Sequence, residues 1–213
     1  MKRSEINLKI LSENSPFKFL PRELNARDLL ILDSFRITFE ILEYNYSLLQ
    51  SNLLDISLNG KNNIENTSPI LNHAWNIIDY TSRFIKLYKT LPSKNNYQNL
   101  NNILSINSFR NTIQHLDERI NESLLKNKTP FYGIITWDYK NLENNKVTPT
   151  VLISGLDCGP KIDIKFNDLV NSNKEINNII IQTVDKNKTI RINLSDIILK
   201  LKKICLKNEI DLQ

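Results

Sequence analysis

The period of the hydrophobic pattern changes once along this chain, near residue 130, and that change limits the folds open to it. Before it, apolar residues recur every three to four positions. Ile106, Phe109, Ile113, Leu116, Ile120 and Leu124 form one such stripe, the spacing that gives a helix one apolar face. After it the pattern alternates, as in Lys161-Ile162-Asp163-Ile164-Lys165-Phe166 and in Ile190, Ile192 and Leu194, the spacing of a strand with one buried face. Such a chain buries its apolar residues as helices first and as a sheet second. The expected class is α+β: an N-terminal helical bundle, then a small antiparallel sheet closed by a C-terminal helix.

Three segments follow. Residues 1–23 are irregular, and Pro16 and Pro21 argue against a continuous helix there. Residues 24–128 carry the helices. The first runs from about Ala26 to Ile56, with Asp33, Arg36 and Glu40 spaced to form a charge network on one face. Asn59-Gly60-Lys61-Asn62-Asn63 breaks it. The second starts at Ser68-Pro69, with Ser68 as cap, and runs to about Lys89. The third runs from about Leu104 to Leu125. Residues 129–213 form a separate β-rich domain beyond a boundary near Lys128-Thr129-Pro130, with further strands at Phe131–Tyr139, Val147–Ser154 and Ile176–Val184. Together they read as an antiparallel meander. Ser195 caps a last helix that reaches about Asn208.

At 213 residues, 40% hydrophobic and 24% charged, the chain is long enough to bury a sizeable core. Its 31 asparagines are spread along the sequence rather than gathered in one tract. A net charge of +5 permits attraction to phosphate backbones without requiring it. Two cysteines, Cys158 and Cys205, are too few for a disulfide framework and lack metal-ligand spacing. No apolar run follows the basic start, and none reaches the ~18 residues of a membrane span. A cytoplasmic protein without metal or cofactor is the expectation.

Chemistry concentrates in Arg110-Asn111-Thr112-Ile113-Gln114-His115. At ~100° per residue, Asn111, Gln114, His115 and Glu118 fan across the face opposite Phe109, Ile113 and Ile120, and Arg110 sits on the flank of the apolar stripe. Asn111 and His115 are one turn apart and within reach of each other. A polar outward face is ordinary for any helix. Yet the chain has only two histidines, His73 and His115, and one of them falls in this string.

An Arg-Asn-x-x-x-His string on a helix that follows two other long helices resembles the HEPN superfamily, over roughly residues 24–127. The resemblance implies a bundle of about four helices, usually dimeric, and metal-independent ribonuclease activity in toxin–antitoxin or antiphage defence. It implies Arg110 and His115 as catalytic residues with Asn111 assisting, RNA as substrate, and a homodimer through the third helix. One branch of the family has a Tyr two residues after the His that a partner nucleotidyltransferase modifies; here that position is Asp117. The β-rich segment lies outside the family's minimal domain and offers a surface for a protein partner. The alternative is a non-catalytic HEPN-like scaffold or partner-binding module.

Other residues read as structural. Asp79 and Arg83 have the spacing of a helix-surface pair, although Asp79 could also anchor Arg110. His73, before Ala74-Trp75, fits a satisfied structural histidine. Asp117, Glu118 and Arg119 fit solvated or interface charges, with Glu118 on the motif face. Lys200, Lys203 and Lys207 suit the end of the last helix, where cations meet the helix dipole. Cys158 has no base nearby in sequence to activate it.

Overall fold

A computed structural model describes residues 9–60, 67–90, 100, 101, 103–115, 117, 118, 130, 132–154, 164–169, 173–185 and 188–211. Helix α1 (Ala26–Asn59) starts where the Asn25 side chain accepts the Asp28 N–H and ends at Gly60, whose positive φ of 76° lets its N–H turn back onto the Ile56 carbonyl. Helix α2 (Ser68–Tyr88) has Thr67, not Ser68, at its cap position, with no side-chain cap bond. Phe35 of α1 meets Phe84 of α2, while Asn45 meets His73; the helices therefore run antiparallel. Phe17, on a short 3-10 turn (Pro16–Lys18), sits edge-on to Phe35 and Phe39 and closes this aromatic cluster. Glu43 holds the chain just before that turn, accepting the backbone N–H groups of Ile10 and Leu11. Its burial pushes the carboxyl above the usual range, against the opposing pull of those bonds.

Helix α3 spans only Ile106–Gln114. The helix expected from about Leu104 to Leu125 is interrupted at His115, which leaves helical geometry at φ −115°, ψ 48° while its N–H bonds the Asn111 carbonyl; Asp117 and Glu118 are helical again, and residues 119–125 lie outside the described residues. The stripe positions Leu116, Ile120 and Leu124 lie outside the described residues. Phe109 tilts against Trp75, and Ser82 Oγ donates to Asn107 Oδ1, so α3 lies along α2.

Strands β1 (Ile134–Lys140), β2 (Val147–Ile153), β3 (Ile176–Asp185) and β4 (Lys188–Asn193) form one antiparallel sheet in the order β2-β1-β3-β4. The class is α+β, as the pattern implied, but the sheet is not a meander, because β3 returns beside β1. Ile164–Phe166, expected as part of a strand, is irregular, and 161–163 lie outside the described residues. Gly133, at φ 86°, is obligatory before β1: a Cβ there would lie 2.5 Å from the Gln182 carbonyl oxygen.

The β1–β3 register shifts between Thr136 and Asp138, where Asn178 takes a φ of 52°. This bulge has a consequence for the core. Ile176 and Ile179 are an odd number of residues apart, so in a regular strand they would face opposite sides. With the bulge both join Ile135, Trp137, Leu152, Ile181 and Ile192 in the core shared with the helices. Helix α4 (Leu194–Asp211) follows β4 directly and adds Leu194, Ile197, Ile198, Leu201 and Cys205 to it. The cap of α4 is Asn193, whose Oδ1 accepts the Asp196 N–H; Ser195, expected in that role, instead accepts from the Ile179 N–H and the Tyr46 hydroxyl. Trp75 Nε1 donates to the Tyr132 carbonyl, Trp137 Nε1 to Ser57 Oγ, and Gln50 Nε2 to the Ile176 carbonyl. Helices and sheet share one core. No helix among the described residues is long and apolar enough to cross a membrane.

Candidate functional site

Helix α3 is short, so its motif sits close to a helix end. Arg110 leaves the helix toward α2 and is partly buried, and its Nε donates to Asp79 Oδ1 at 3.1 Å. The second oxygen of Asp79 accepts Arg83 Nε at 2.7 Å. One carboxylate thus holds two guanidinium groups, each by its Nε. Among the described residues no bond engages either terminal N–H fork, which leaves both to meet an anion, and the Arg83 side chain is 58% exposed. Arg83 also lies over the Tyr80 ring, 5.1 Å from its centroid. Two cations on one anion leave the cluster with an excess positive charge, suited to phosphate oxygens.

Asn111, Gln114, His115 and Glu118 are all exposed, as the helical geometry predicts. The His115 side chain is 54% exposed, and its Nδ1 lies 3.7 Å from Glu118 Oε2, a separation beyond hydrogen-bond length. No side-chain hydrogen bond joins His115 to Asn111 or to Arg110 among the described residues. The motif is therefore split: Arg110 is drawn onto α2 while His115 faces solvent. Arg83 is the residue that the sequence reading left out of the site. Its only signal was the i, i+4 spacing to Asp79, which ordinary surface pairs share.

His73 fills the structural role expected of it. Its Nδ1 bonds Asn45 Oδ1 at 2.9 Å, an oxygen that also accepts from Asn76, and burial holds its pKa below the ordinary 6.5. Lys200 pairs with Asp196 within α4. Cys205 is buried, and burial, aided by Glu209 and Glu43, pushes its thiol well above the usual range, so it is a packing residue. Cys158 and Arg119 lie outside the described residues. Among the described residues no three His, Cys, Asp or Glu side chains are grouped to hold a metal ion. No protein-family model, curated protein or solved structure matches the chain.

Proposed function

We propose that the chain is a metal-independent endoribonuclease of the HEPN type, acting in the cytoplasm in toxin–antitoxin or antiphage defence. The observation that carries this reading is the arrangement of Arg110. It is fixed through Nε by Asp79 with Arg83 beside it, five residues before a solvent-facing His115.

RNA brings its own nucleophile, the 2′-hydroxyl, so the protein needs only to move protons and stabilise charge. Arg110, already oriented, would grip the non-bridging phosphate oxygens with its free fork, and Arg83 would add a second cation. His115 would take the 2′-hydroxyl proton or return one to the leaving 5′-oxygen, a task suited to an imidazole at neutral pH. Asn111, exposed on the same turn, would contact substrate. One imidazole cannot serve as base and acid in the same step, so a homodimer through the α3 surface would supply the second from a symmetry-related copy. The products would be a 2′,3′-cyclic phosphate and a 5′-hydroxyl. The β-rich segment would bind the protein that restrains or triggers cleavage.

The test is cleavage of single-stranded RNA by purified protein in EDTA. Arg110→Ala and His115→Ala should each reduce the rate by at least about 10²-fold, the scale of a lost general acid or base. Equal activity in wild type and His115→Ala rejects the reading. Loss of partner capture on deleting 130–213, with no cleavage by any variant, favours a scaffold.

A further inference from the structure

The sheet's second face, opposite the one that joins the core shared with the helices, carries Ile134, Ile180 and Val184, and a polar group of residues stands beside them. Asn178 is 6% exposed and Asp138 4%, and both lie on this face because the bulge turns Asn178 away from the helical core. Asn178 Nδ2 donates to Asp138 Oδ2 at 3.0 Å, and Asn193 Nδ2 donates to Asn178 Oδ1 at 2.7 Å. A chain of buried amides costs more than an apolar strand would, and a non-glycine residue at positive φ costs more again.

Above this polar floor runs the irregular segment 164–169, fixed from two sides. Arg191 donates to the Lys165 carbonyl and to Asn167 Oδ1, and Asn178 Nδ2 reaches the Asp168 carbonyl at 3.4 Å. Between floor and segment lies a solvent-open depression of about 460 Å³, lined by Phe166, Asn167, Asp168, Asn178 and Asn193. Phe166 stays 46% exposed although it is apolar. A cleft of this size suits a single planar ring system. It offers an aromatic face, a carboxylate, and amides that are only partly engaged.

We propose that this cavity binds a guanine base. Phe166 would stack on the ring. Asp168 would accept from the adjacent N1–H and N2–H₂ donors, a pair that only guanine presents along one edge. Adenine and cytosine place a ring acceptor there, and uracil flanks its one donor with two carbonyls, so a carboxylate repels all three. Asn167 accepts from Arg191 through Oδ1, and among the described residues no bond engages its amide N–H groups, which can meet guanine O6 and N7. The site does not depend on the Arg110 and His115 motif.

The base could come from a free nucleotide or from a single-stranded RNA, and calorimetry separates the two. The full chain carrying His115→Ala, so that RNA stays intact, is titrated with guanosine and adenosine monophosphates. It is then titrated with two hexanucleotides that differ by one G-to-A change. Guanine should be preferred by roughly tenfold or more, the scale of one bidentate contact. Asp168→Asn should abolish that preference, and Phe166→Ala should weaken binding by roughly tenfold. Both side chains are exposed, so circular dichroism should confirm that the fold survives. Binding of the mononucleotide identifies a nucleotide site; binding of the guanine-containing strand alone identifies an RNA-base site. The proposal falls if no guanine ligand binds at millimolar concentration, if guanine and adenine bind alike, or if neither substitution changes affinity.

Discussion

Asp79 is where the geometry of the candidate site is decided. Its carboxylate holds Arg110 through one oxygen and Arg83 through the other. A partly exposed pair of this kind contributes little to stability, about 0–1 kcal/mol, so its main effect is on position. Asp79→Asn should therefore change the urea midpoint only slightly while lowering RNA cleavage about tenfold or more. Equal cleavage in both proteins would remove Asp79 from the site. His73 acts on stability instead. Its burial lowers the folded-state pKa below 6.5, so the unfolded chain takes up a proton first as pH falls. Its stabilising contribution is complete above pH 6.5 and is lost as pH drops through the lowered value. Urea midpoints at pH 7 and pH 5 should differ less for His73→Gln than for wild type; an unchanged difference refutes the assignment.

Among the elements, the junction between β4 and α4 carries much of the structure in two residues on either side of Leu194. Asn193 caps the helix, and its amide enters the polar network of the sheet. Ser195 Oγ accepts from the buried Ile179 N–H and from Tyr46, whose hydroxyl burial pushes up to a pKa of about 12. Ser195→Ala leaves two donors without an acceptor and should cost about 2 kcal/mol or more. Lys203→Ala, on the exposed side of α4, should cost under about 0.5 kcal/mol. Chemical denaturation of the two variants checks the ordering. Helix α3 shows the opposite economy: at nine residues it is too short to be stable alone, and its packing on α2 through Phe109 and Asn107 holds the motif.

Over the whole molecule, helices and sheet are tied by a common core and, among the described residues, by polar contacts from Tyr46, Gln50, Ser57 and Trp75 to the β-rich segment. The intact chain should unfold in one transition, with far-UV circular dichroism and tryptophan fluorescence coinciding. Residues 1–129 expressed alone would lose the β-rich half of the common core and the partners of Tyr46, Gln50, Ser57 and Trp75, and should show no cooperative transition. Two separated transitions in the intact chain would overturn this.

Local spacing made the element types legible. Apolar residues every three to four positions marked α1 and α2, alternation and β-branched runs marked all four strands, and the outward face of Asn111 and His115 followed from helical rotation alone. Even the Asp79–Arg110 contact could be raised from residue type and helix order. Boundaries and order were not legible, because tertiary contacts set them. Where α3 ends, which strand lies beside β1, and whether Ser195 caps a helix or joins three elements depend on partners distant in sequence. The bulge at Asn178 is the clearest case. Periodicity is a property of neighbours along the chain, so it can say that a strand exists, whereas the face each residue takes waits on the register with β1. That register alone turned Asn178, within an isoleucine run, into part of the floor of a cavity.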